Sequence, residues 1–230
     1  MFKKMVHICL ALVMTVALTG CGAQFDHQAY VQSTLDAGYK GEVSEYVKLT
    51  DTTEDEAKKL YEDNITATVD EFSTSFESTA GASMTEDQKA QVKDIITNLL
   101  KSVSYETESA EKVDSNNYKV TVKVKPLKSL DSFEEKLTEH ITTLTEQIQN
   151  GEIDLGMDLS DPDVDVEAAT AKMMDIYMQG ILDIFKEVVD SPEYGDEETM
   201  TVDVKLDTDQ KLWYIPDSEI EKIDSALIGM

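Results

Sequence analysis

From Tyr118 to Lys125 the side chains alternate without exception, with Tyr118, Val120, Val122 and Val124 apolar and Lys119, Thr121, Lys123 and Lys125 polar between them. Successive residues of an extended chain point to opposite faces, so this octet reads as a strand with one buried and one wet face. Asp114 to Asn117 is the turn joining it to a more polar partner, Val103 to Lys112. A second hairpin is predicted near the end of the chain. It runs from Thr199 to Leu206, with Met200, Val202, Val204 and Leu206 on one face, and from Gln210 to Ile215, across a turn at Asp207, Thr208 and Asp209. Two hairpins are most economically read as one antiparallel sheet of about four strands.

Everything else periodic in the chain is helical. Asp26 starts a short helix through Ala29, Tyr30, Leu35 and Tyr39, interrupted by Gly38 and Gly41, and Val43, Tyr46 and Val47 give one or two further turns. Thr53 with Glu56, and Thr85 with Gln88, form capping boxes, in which each side chain bonds the other residue's free backbone N–H. The first opens a long amphipathic helix through Ala57, Leu60, Tyr61, Ile65, Val69, Phe72 and Phe76, and the second a helix through Val92, Ile95, Ile96, Leu99 and Leu100. Ser132 with Glu135 starts another, with Phe133, Leu137, Ile141, Leu144 and Ile148 as its buried face until Gly151. The next, about Val166 to Val189, follows Ala169, Met173, Ile176, Tyr177, Ile181, Ile184, Phe185 and Val188. Asp217 or Ser218 caps a last helix through Ile220, Ile223 and Leu227. Helices covering one face of an antiparallel sheet define an α+β fold.

The N-terminus has a different logic. Lys3 and Lys4 precede an uncharged, mostly apolar run from Met5 to Leu18. About 14 residues is short of the roughly 20 a helix needs to span a bilayer, but it suits the core of an export signal. The run ends in Leu18-Thr19-Gly20-Cys21, which resembles the lipobox of bacterial lipoproteins. That resemblance implies that residues 1–20 form a signal peptide, and that a diacylglyceryl group such as one carrying palmitate is attached to the Cys21 thiol. With a helix starting at Asp26, residues 21–25 read as a short lipidated tether and residues 26–230 as a single extracytoplasmic domain, ahead of two half-domains that each run helices first and hairpin last. Two acyl chains give stable membrane residence without a transmembrane helix.

Composition narrows the partners. The chain carries 47 acidic and 20 basic residues, a formal charge of −27, and losing Lys3 and Lys4 with the leader would take it to −29. Every cation is lysine. Nucleic acid is disfavoured as a partner, because its phosphates demand a basic surface. The lack of arginine removes the bidentate fork for carboxylates and phosphates, and the lysine bias suggests an AT-rich, Gram-positive source. The two cysteines are Cys9, inside the leader, and Cys21, under the lipid, so the domain has no cysteine pair for a disulfide.

Catalytic templates find little to hold. Outside the leader there are two histidines, His27 and His140. His140 follows Glu139, yet no second histidine stands at the spacing of a HExxH site, and the plain reading is a solvated position on a helix. No serine sits in a G-x-S-x-G elbow, and no glycine-rich loop cradles phosphate. The segment Asp154 to Asp165, with Asp158, Asp161 and Asp163, is the best place for a hard cation. It lacks the EF-hand glycine and final glutamate, and reads first as a solvated acidic loop. Met173, Met174 and Met178 could offer thioethers to copper or line a pliable groove, but core filling is the simpler reading. Trp213 likewise reads first as packing.

The closing Lys211-Leu212-Trp213-Tyr214-Ile215-Pro216 and the short helix after it resemble the ending of small Gram-positive lipoproteins of unknown function. Some of these have cystatin-like or nuclear-transport-factor-like cone folds, in which a curved sheet wraps a long helix. The resemblance implies such an outline, with Thr85 to Lys101 as the long helix. It transfers no catalytic residue and no cofactor. The expectation is therefore a lipid-anchored domain on the outer face of the cell membrane, binding a cell-surface protein or a small ligand without catalysis. Two alternatives are a cell-envelope hydrolase using paired carboxylates, and an acidic Ca²⁺-responsive surface protein.

Overall fold

The structure, a computed structural model, describes residues 16–17, 25–81, 83–154 and 166–228. Its elements are β1 (Val16–Ala17), α1 (His27–Leu35), α2 (Tyr46–Leu49), α3 (Glu54–Ala80), α4 (Glu86–Ser102), β2 (Ser104–Lys112), β3 (Asn117–Lys125), α5 (Phe133–Gln149), α6 (Val166–Asp190), β4 (Glu198–Asp207), β5 (Leu212–Tyr214) and α7 (Asp217–Ile228). The α+β class and the two hairpins stand as expected, forming one antiparallel sheet of four strands extended by the two-residue β1. The order across the sheet is β1-β5-β4-β3-β2.

The alternation of β3 sets the faces. Val120 lies opposite Val202, and Tyr118 opposite Val204, and all three valines of β3 are buried. The lysines between them stay on the wet face, where Lys119 Nζ meets Asp203 at 2.8 Å and Lys123 Nζ meets Glu108 at 2.6 Å. The helix seated on the apolar face at β2 and β3 is α1, with α7 beside it on β3 and β4. The residues 85–101 expected in that place belong to α4, which packs against α3 and α6 in an outer helical layer. The misplacement has a physical cause. A helix buried on most sides has no amphipathic stripe, and α1 buries His27, Ser33 and Thr34 as well as Tyr30, Val31 and Leu35. The hydroxyls of Ser33 and Thr34 donate to the Tyr30 carbonyl at 3.1 and 2.8 Å, which makes their burial tolerable.

Several local expectations shift. Gly38 does not break the first helix; the chain continues as a π-helical turn over Asp36–Lys40 and stops at Gly41, whose φ of +70° is left-handed. Both capping boxes of α3 and α4 form. Ser132 does not cap α5: it closes a 3₁₀ turn, Ser129–Ser132, and its hydroxyl donates to the Ser129 carbonyl instead. Of the stripe assigned to α5, only Phe133 and Leu144 are buried, and Ile141 is exposed. On α3, Leu60 is 40% exposed. The last strand starts at Leu212 because the Asp207 carboxylate accepts from the N–H groups of Asp209 and Gln210 and Lys211 takes a positive φ of 58°, prolonging the turn.

Candidate functional site

From Phe25 onward the chain is held by aromatic rings. The Asp26 carboxylate caps α1 by accepting from the Ala29 N–H at 2.9 Å. The His27 imidazole then stacks on Tyr118, with centroids 3.6 Å apart and planes 12° from parallel. Trp213 meets it edge-on at 4.4 Å, and Phe25 edge-on at 5.0 Å. His27 is 4% exposed, and among the described residues its Nε2 has no hydrogen-bond partner. Burial lowers its pKa to about 4, outweighing the nearby Asp26 carboxylate. At neutral pH the ring is an uncharged aromatic plate in a closed cluster, and the cluster fixes the N-terminal end of α1 to the hairpin strands β3 and β5.

One helical turn at a time, Gln28, Gln32, Asp36 and Lys40 then form a polar ladder at i, i+4 spacing, and the ladder meets β2. Between the pairs Thr107↔Val122 and Ser109↔Thr121 the register slips, leaving Glu108 as a bulge. Gln28 Nε2 donates to the Thr107 carbonyl at 2.9 Å, and the Thr107 N–H donates to Gln32 Oε1 at 3.0 Å. Two side-chain amides thus take up both peptide groups of Thr107, where the edge strand would otherwise be open. Asp36 accepts from the Tyr105 hydroxyl at 2.8 Å and from Lys40 at 3.0 Å, and Lys40 Nζ also stands 4.5 Å from the centre of the Tyr105 ring.

Next to Asp36, the buried Tyr39 donates its hydroxyl to Asp224 on α7. Asp224 is 8% exposed. Burial raises its pKa to about 6, while the bond from Tyr39 pulls the other way. Burial also pushes the Tyr39 hydroxyl well above the ordinary phenol range, helped by the Asp224 charge. This carboxylate holds α7 to the π-helical turn.

Among the described residues, two of the surface grooves carry charged side chains. One, of about 590 Å³, is lined by Asp51, Thr52, Glu56, Lys59, Leu60, Asp63 and Leu212, so it runs beside β5. The other, of about 300 Å³, lies between α4 and α6 with Asp94, Asn98, Asp183 and Lys186 on its walls.

The residues singled out by sequence scatter. Cys21 and residues 155–165 lie outside the described residues. The Asp154 carbonyl accepts from Lys172 Nζ at 2.6 Å, and among the described residues no three His, Cys, Asp or Glu side chains converge as metal ligands. His140 is half-buried rather than solvated, because α5 crosses α6 at Gly180: a Cβ there would stand 1.9 Å from His140 Nε2. Met178 fills the core, but Met173 is exposed. Trp213, 6% exposed, is packing with ring partners. Gln28, Gln32, Tyr39 and Asp224 were not singled out. The i, i+4 polar ladder from Gln28 to Lys40 was a usable signal; the Tyr39–Asp224 pair, 185 positions apart, had none.

No model of a known protein family matches the chain. No curated protein matches it either. Among solved structures it is similar to a Bacillus subtilis protein described as a "putative lipoprotein (ycdA)", at 15% identity and a TM-score of 0.46. That likeness covers 86% of this chain and 54% of the other, so the chain spans about half the length of the structure it matches. Among the described residues, no helix is long and apolar enough to cross a membrane.

Proposed function

We propose that the chain is a lipid-anchored protein of the outer face of a Gram-positive cell membrane, and that its folded part works by binding rather than by catalysis. The observation that carries this reading is the aromatic cluster behind the anchor sequence. Cys21 stands four residues before Phe25, and from Phe25 onward the chain is pinned by His27, Tyr118 and Trp213. A lipid on Cys21 would hold the fold within a few residues' reach of the bilayer, since an extended residue covers at most about 3.6 Å. The binding half of the reading is supported by the interior. The valine face of the sheet is covered by α1 and α7, and His27, His140 and Asp224 are committed to packing.

Expression in a Gram-positive host fed a labelled fatty acid tests the anchor. The wild-type protein should take up label, lack residues 1–20 and fractionate with membranes, whereas Cys21→Ser should lose the label and appear in the medium. A Cys21→Ser protein recovered wholly with membranes would overturn the anchoring. Hydrolysis of peptidoglycan, glycan or ester substrates, lost on changing one groove carboxylate, would overturn the binding role.

A further inference from the structure

The two edges of the sheet are treated differently. At β2 the bulge and the amides of Gln28 and Gln32 occupy the outward peptide groups of Thr107, one of the ways proteins close an edge against strand addition. At β5 the Trp213 carbonyl accepts from the Tyr30 hydroxyl at 3.4 Å, and the edge neighbour is another strand: Val16 lies antiparallel opposite Trp213, and Ala17 opposite Leu212. Those two residues belong to the leader, so their pairing ends when residues 1–20 are removed. The inference below rests on that removal, which is part of the proposed function.

We infer that β5 of the processed chain is a strand-addition site, and that its occupant is an extended, lysine-bearing segment of another polypeptide at the cell surface. The backbone pairing with Val16–Ala17 shows that the edge has the room and the register for an antiparallel strand, and main-chain hydrogen bonds of this kind supply affinity while flanking pockets supply selectivity. The flanking pocket here is the groove beside β5. Leu60 and Leu212 give it an apolar floor, and Asp51, Glu56 and Asp63 outnumber Lys59, which is already paired with Asp63 at 2.5 Å. An incoming strand with an apolar residue at its centre and lysines at its ends matches that lining. A second copy of the chain is the poorer occupant, because each would bring a formal charge of −29 to the contact.

Trp213 is the only tryptophan and lies on β5 itself, so its emission reports on the edge directly. The probe is an end-capped peptide carrying the sequence of residues 15–19, Thr-Val-Ala-Leu-Thr, between two lysines at each end. Titrated into the processed chain with Cys21→Ser, it should shift Trp213 emission saturably and slow amide exchange at Trp213, whose peptide group faces away from β4. Proline in place of the central alanine should weaken binding at least tenfold. Glutamates in place of the lysines should weaken it severalfold, with the difference shrinking in high salt. The full-length chain, its edge filled by Val16–Ala17, should respond to none of them.

No response at millimolar peptide, equal binding of the proline peptide, or dimerisation of the processed chain through β5 in sedimentation would each overturn the inference. Intact mass of the cell-derived protein separates the two readings. Retention of residues 1–20 would overturn the anchoring and this inference together, whereas a failed titration on correctly processed protein would overturn this inference alone.

Discussion

Replacing Asp224 by Asn should make the protein's stability fall more steeply in acid than the wild type's, because it removes one of two buried groups that titrate against each other. His27 has a folded pKa of about 4 against an ordinary 6.5. The unfolded chain therefore binds the extra proton first, and stability is lost as pH falls through that window. At about 1.36 kcal/mol per unit of difference the full loss is about 3 kcal/mol. Asp224 runs the other way: its folded pKa of about 6 lies above the ordinary 3.8, so the folded state takes the proton first. The cost of its buried charge, again about 3 kcal/mol, is fully present above pH 6 and is relieved as pH falls toward 3.8.

Between pH 6 and 4 the two largely cancel. Groups common to every variant drop out of differences from the wild type. Urea unfolding at pH 7, 6, 5 and 4 is the assay. Relative to wild type, Asp224→Asn should lose about 2 kcal/mol between pH 7 and 4, and His27→Phe, which keeps a ring on Tyr118, should gain about 3 kcal/mol. Three parallel curves would refute the reasoning.

Further expectations follow from single contacts. Gly180→Ala should destabilise the wild type by about 1–3 kcal/mol, because His140 occupies the space of the new Cβ. In a His140→Ala background the same change should stabilise by up to about 1 kcal/mol, the ordinary helix preference for alanine. A thermal-melt double-mutant cycle showing additive effects would count against the contact. Gln32→Ala should strand the Thr107 N–H, cost about 1–2 kcal/mol, and speed amide exchange at Thr107 before it does so elsewhere in β2. Tyr39→Phe, which leaves Asp224 without its donor, should cost about 1–3 kcal/mol at pH 7 and less at pH 4, read from the same urea curves.

What the sequence revealed follows from where the pattern is periodic. β3 was legible because its valines and lysines obey period two, and α3 and α4 because their caps are local reciprocal bonds. The central helix was misassigned to residues 85–101 for the opposite reason. A helix covered on most sides carries no stripe to read, and α1 hides polar residues whose hydroxyls bond their own backbone. Leu60 and Met173 fit helical stripes yet stand exposed, since a stripe wider than its neighbours leaves its shoulders in water. The expectation for Cys21 rests on a contiguous motif and falls outside the described residues. The candidate site was not legible: the His27 cluster joins residues 91 and 186 positions from His27, and such encounters are set by the fold alone.

The way the chain is pinned behind Cys21 also has a mechanical side. Tension arriving from a membrane anchor would reach α1 after about 14 Å of slack at most, and α1 is no frayed end. It is clamped to β2 through Gln28 and Gln32, and the turn that continues it is bonded to α7 through Tyr39. The load path runs straight into the middle of the molecule. A pull would first have to slide His27 out from against Tyr118 and Trp213, so the rings that hold the N-terminal end of α1 would act as a fuse, slackening β5 before the rest of the sheet gives way.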